Sequence, residues 1–137
     1  MTRIQSLEPA QADSKAQELP AAAKKAIEEV VGKYIDGGRA ANSSIMKPAF
    51  HENAQMSGPE EDGAFSGPIQ ALYDYVDGNG PATDLEMRIV SITISDERAA
   101  SVVLHADHWH GKNFTDHFHL LKIDGTWKIL SKIFSEK

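Results

Sequence analysis

From Leu85 to the end of the chain, apolar side chains recur at every second position, the period of a strand with one face covered. The segments "LEMRIVSITIS", "AASVVLHADHWH", "NFTDHFHLLKI" and "WKILSKIF" read as consecutive long strands. The pairs Asp96–Glu97, Gly111–Lys112 and Asp124–Gly125 are predicted to turn them, and Asp-Gly between apolar runs is a strong hairpin signal. Such a meander must bury its apolar face against something. In a chain of 137 residues the cover has to come from the segments that precede it.

Those segments carry helical spacing. Pro20 suits the first turn of a helix, and "AAAKKAIEEVVGKYID" brings round Ala23, Ile27, Val30, Val31, Tyr34 and Ile35 at helical intervals. Gly37–Gly38 is predicted to stop it. A short second helix is expected over Arg39–Met46, ended by Pro48. "FHENAQMSG" then reads as a strand, "PEEDGA" as an acidic loop and "FSG" as a short extended piece. A third helix, "PIQALYDYVDG", opens at Pro68 and aligns Ile69, Leu72, Tyr73 and Val76. Residues 1–19 read as a tail or loosely docked helix, and residues 20–137 as one domain. Helices first and antiparallel strands afterwards give an α+β fold with the helices on one sheet face.

Several function classes drop out. The net charge is −6 and no basic stripe exists, which speaks against nucleic acid. Without cysteine there are no disulfides, thiol nucleophiles or cysteine-bound metals, and a reducing compartment is consistent. No run is long enough to cross a bilayer and no signal segment opens the chain, so a cytoplasmic protein is expected. No phosphate-binding glycine loop, nucleophile elbow or zinc-helix motif is present, and no cofactor is expected.

The runs "FHENAQMSG", "GPIQALYDYV" and "TDHFHLLKIDGTWKILSKIF" are similar to the proteins grouped as "Putative lumazine-binding", within the nuclear-transport-factor-two-like (SnoaL-like) superfamily. The resemblance covers roughly residues 22–137, and the "LLKIDGTWKI" hairpin is its most specific part. It implies a cone, with a strongly bent sheet curled around three helices and enclosing a pocket. It also implies a homodimer through the convex sheet face. The superfamily includes isomerases, dehydratases, ligand carriers and scaffolds, so the fold does not name the function.

The strand register sorts the polar residues. With two-residue turns at Gly111–Lys112 and Asp124–Gly125, His105 pairs with Phe118, Asp107 with Asp116, Phe118 with Ser131 and Leu120 with Ile129. One face then holds Val103, His105, Asp107, Trp109, Phe114, Asp116, Phe118, Leu120, Trp127, Ile129, Ser131 and Ile133. The other holds His108, His110, His117, His119 and Lys132 among others. The first set is the more apolar and is assigned to the concave side.

On that assignment His105, Asp107 and Asp116 are polar residues in an aromatic wall. Opposed aspartates repel unless one keeps its proton or a cation sits between them. A carboxylate-oriented imidazole could act as a general base, so these three are the candidate catalytic group. The alternatives are a satisfied core histidine and solvated aspartates near the hairpin tip. Tyr34, Phe50, Trp109, Phe114, Phe118 and Ser131 are the candidate ligand contacts, with Trp109 and Phe114 placed to stack on a flat ring or simply on each other. The four outer histidines suit a dimer surface or solvated sheet better than a metal, and no metal site is assigned. The reading is a cavity protein for a compact, partly aromatic small molecule. The alternative is a cofactor-independent lyase or isomerase of dehydratase type using a His–Asp pair.

Overall fold

The computed structural model describes residues 9–137, with side chains from Ala21 onward. Helix α1 spans Pro9–Ala40 and α2 Ser43–Met46, followed by a 3-10 turn at Lys47–Ala49. Strands β1 (Phe50–Glu60) and β2 (Gly63–Pro68) lead into α3 (Gln70–Gly78). Strands β3 (Glu86–Asp96), β4 (Ala99–Trp109), β5 (Lys112–Ile123) and β6 (Thr126–Glu136) complete the chain. The expected tail of residues 1–19 lies in part, residues 1–8, outside the described residues.

The six strands form one curved sheet in the order β2-β1-β6-β5-β4-β3. Pairing is antiparallel throughout except at β1, which runs parallel to β6. This is the α+β fold read from the sequence, in the cone form that the family resemblance implies. The concave face buries Val102, Leu104, Ala106, Phe118, Leu120, Trp127 and Ile129 against Ile27, Val30, Val31 and Tyr34 of α1 and Leu72, Tyr73 and Val76 of α3. Burial of such side chains contributes roughly 1.5–3 kcal/mol each.

Helix α1 departs from expectation at both ends. It is already helical at Pro9, so Pro20 does not stand in its first turn. Gly37 and Gly38 do not end it; they allow close packing. A Cβ on Gly37 would lie 2.9 Å from the Cβ of Met46, and one on Gly38 would lie 3.3 Å from Leu85, Met87 and Trp109. The stop comes at Ala41, whose φ is 55°, with the Asn42 N–H donating to the Gly37 carbonyl at 3.0 Å. That is a Schellman ending with alanine in the place usually taken by glycine.

The β4–β5 hairpin turns at His110–Gly111, one residue earlier than predicted. Both have positive φ, 51° and 83°, as a tight primed turn requires. Moving the turn changes every partner by two places and leaves the faces alone. A bulge does the rest. Between Ala106 and Trp109 the ladder shifts register, with His108 at φ 62° and its N–H held by Asn113 Oδ1 at 3.0 Å. The extra residue inverts β4 below the bulge, so Leu104 faces Asp116 and Val102 faces Phe118. A second bulge in β6 keeps Leu120 opposite Ile129 but sets Phe118 opposite Lys132 and His119 opposite Ser131. The predicted pairings His105–Phe118 and Asp107–Asp116 are therefore overturned by the moved turn and the β4 bulge together, and Phe118–Ser131 by the one residue inserted in β6.

Candidate functional site

Strand β5 has no bulge, and its even positions face inward as read from the sequence. Asp116 is 1% exposed, between Phe118 and Phe114 on the concave side. The bulge in β6 turns Lys132 to the same side, where it is 4% exposed. Its Nζ lies 3.2 Å from Asp116 Oδ1. From α1, one turn beyond Val30 and Val31, the Tyr34 hydroxyl donates to Asp116 Oδ2 at 2.7 Å. Both oxygens of the carboxylate are thus engaged from opposite sides. Lys132 also stands 4.9 Å from the ring centroid of Phe134 and 5.8 Å from that of Tyr34, a cation–π distance in each case.

The electrostatics follow from burial. Burial raises the Tyr34 hydroxyl well above the ordinary tyrosine value, and the neighbouring Asp116 charge raises it further. Tyr34 therefore remains a hydrogen-bond donor. Desolvation also lifts Tyr73, to about 12, and Tyr75. Lys132 has three N–H donors and gives one to Asp116. The described residues offer the others no hydrogen-bond partner.

Asp116 and Lys132 form the inner end of a cavity of about 440 Å³. Its walls are apolar and aromatic, from Met56, Phe65, Leu72, Tyr75, Trp109, Phe114 and Phe134, and exposed Glu60 and Lys112 stand at its rim. Trp109 and Phe114 meet edge to face at 6.4 Å. This volume lies within the usual range for small-molecule pockets. A larger depression of about 510 Å³ lies at the hairpin tip, between residues 81–86 and His108, His110 and Gly111. Its lining is mostly exposed. The smaller cavity is the candidate site because it alone of the two has buried ionisable groups at its inner end.

The other predicted residues are distributed differently. His105 lies on the convex face, half-buried, with Nδ1 3.3 Å from Thr115 Oγ1. Asp107 is part of the bulge and pairs with Lys137 at 2.7 Å, each side chain 37% exposed. That contact lowers the Asp107 carboxyl: the hydrogen bond from Lys137 is the main cause, and the charges of Lys137, His105 and His108 also act downward. Ser131 turns outward beside His119. Phe50 and Phe118 pack edge-on around Tyr34 at 6.1 and 5.2 Å and do not line the cavity. The predicted His105–Asp107–Asp116 group is therefore not assembled, because the bulge sends the first two away from the third.

Lys132 is the residue that strict alternation hides. A signal for the β4 bulge did exist. Val102, Leu104 and Ala106 are uniformly apolar, whereas Val103, His105 and Asp107 are not, and an unbulged register buries the wrong set. The histidines do not converge either: His117 and His119 are exposed on the convex face, while His108 and His110 sit at the tip in left-handed backbone. Among the described residues no three His, Asp or Glu side chains gather as metal ligands. Nor is any described helix long and apolar enough to cross a membrane.

Residues 22–135 match the family described as "Putative lumazine-binding". The chain is also similar to two solved nuclear-transport-factor-two-like proteins of unknown function. One, from Shewanella baltica, is 39% identical and superposes with a TM-score of 0.82 over 85% of this chain and 95% of that one. The other, from Methylobacillus flagellatus, is 35% identical with a TM-score of 0.79 over 84% and 92%. A curated relative, the aldolase FrzH of a Cladobotryum species, is 28% identical over 102 residues, 74% of this chain and 81% of its own length.

Proposed function

The chain belongs to the "Putative lumazine-binding" family, and from that premise we propose that its cavity holds a compact, partly aromatic small molecule bearing an acceptor oxygen. The observation that supports this most directly is the buried Asp116–Lys132 pair at the inner end of an apolar cavity. An internal ion pair is seldom the most stable filling for such a space, since apolar residues of similar volume are usually as good or better. A polar task explains its presence. The unpaired N–H groups of Lys132 suit a carbonyl, phenolate or carboxylate oxygen, and the aromatic walls suit a flat ring. A cytoplasmic homodimer joined through the convex face, where Leu121 and Ile133 are exposed, completes this reading.

A panel of flat hydroxy-aromatic and heterocyclic carbonyl compounds tests it. Binding should raise the melting temperature and quench Trp109, and Ala71→Phe, which fills the cavity from α3, should abolish both effects. A panel that leaves melting and emission unchanged removes the reading. Loss of a dimer in Ile133→Glu, seen by analytical ultracentrifugation, tests the convex interface separately.

A second reading, a cofactor-independent lyase or isomerase, draws support from the aldolase relative. Its proton-moving groups would be Asp116 and Lys132, since His105 lies outside the cavity.

A further inference from the structure

Resting on the cavity reading, we propose that Lys132 is a nucleophile as well as an anchor, and that it captures an aldehyde or ketone as an imine. Among lysines whose side chains are described, Lys132 alone is buried; the others are half-buried or exposed. Lys132 lines the cavity, with its Nζ 4.9 Å from the ring centroid of Phe134 and 3.2 Å from Asp116 Oδ1. Desolvation is the usual route by which a lysine becomes a carbonyl nucleophile, because it disfavours the ammonium form. Here the proton has a near destination. Asp116 Oδ1 is 3.2 Å away, and transfer to it keeps both proton and partner inside the cavity.

The step balances within these residues. The ammonium of Lys132 passes a proton to Asp116, and the freed nitrogen lone pair forms a C–N bond as the carbonyl π pair moves onto oxygen. Asp116 returns the proton to that oxygen, giving a carbinolamine. A second nitrogen proton then follows the same route as the hydroxyl leaves as water, and the C=N bond forms. Ammonium plus carbonyl becomes protonated imine plus water, with the Asp116 carboxylate regenerated and no other reactant. Tyr34 stays a donor to Oδ2 and fixes the carboxylate so that Oδ1 remains with the nitrogen. The apolar walls limit the water available to reverse the condensation.

The test uses the full chain with para-hydroxybenzaldehyde and sodium cyanoborohydride, read by intact mass and peptide mapping. On accessibility alone Lys132 should be the last lysine to label. The proposal requires that it label first, that para-hydroxybenzyl alcohol protect it, and that the Lys132 adduct be lost in Lys132→Arg, which keeps a cation beside Asp116 but forms no imine. If both compounds raise the melting temperature while label falls only on exposed lysines, the imine is excluded and the cavity reading stands. If neither compound perturbs melting or Trp109 emission and Lys132 stays unlabelled, both fail together. Protection by the alcohol in the unaltered chain remains decisive even if Lys132→Arg folds poorly.

Discussion

The sheet holds two aspartate–lysine pairs. Asp107 and Lys137 meet at 2.7 Å near the hairpin tip with both side chains 37% exposed, whereas Asp116 and Lys132 meet at 3.2 Å with 1% and 5% exposure. The tip pair is the closer, yet water screens it, and exposed ion pairs contribute little. The inner pair is longer but has lost its hydration, so each charge depends on the other and on Tyr34. Burial, not distance, decides which pair the fold depends on. It also decides which pair a ligand can meet.

The largest test removes one partner of the inner pair. Asp116→Ala leaves Lys132 buried without its counter-charge and should lower unfolding stability by about 3–5 kcal/mol, measured by urea denaturation. Replacing both, with Asp116→Leu and Lys132→Met together, should restore most of that loss or exceed the wild type by about 1–4 kcal/mol while ending ligand binding. A double variant as weak as the single one would mean that the pair is there for stability after all. Tyr34→Phe comes next. It deletes one hydrogen bond to a charged group and should cost about 1.5–3 kcal/mol.

The two pairs should also fail at opposite ends of the pH scale. The Tyr34 hydroxyl is raised in the folded chain, so its contribution is full below the ordinary tyrosine value of about 10 and is lost as pH rises through the folded value. The stability gap between wild type and Tyr34→Phe should therefore narrow in strong alkali. The Asp107 carboxyl is lowered, so its contribution is full above the ordinary carboxylate value of about 3.9 and is lost as pH falls through the folded value. The smallest effect is expected from Lys137→Ala, which should leave the denaturation midpoint at neutral pH within error of wild type. A loss as large as that of Tyr34→Phe would erase the contrast between the pairs.

Much of the fold was legible in advance because period and turn chemistry are local. Asp124–Gly125 turns as read, with φ values of 50° and 79°, and the helical spacing of Ile27, Val30, Val31 and Tyr34 is the core face of α1. His110–Gly111 follows the logic of Asp-Gly, since histidine tolerates left-handed backbone better than most residues. The site was less legible. Asp116, Trp109 and Phe114 are read from the sequence and line the cavity. Tyr34, Phe50 and Phe118 are read as ligand contacts but lie outside its lining, His105, Asp107 and Ser131 are set on the wrong face, and Lys132 is missed.

The amino-acid sequence by itself determined the elements, the helical face of α1 and the inward residues of β5, because these depend on periodicities that a few neighbouring residues enforce. Only the tertiary structure decided what stands opposite them. One inserted residue in a ladder inverts every side chain beyond it, and whether a strand accepts that insertion is set by how the curved sheet packs on α1 and α3. Lys132 faces Asp116 for that reason, and no local pattern in "WKILSKIF" could have shown it.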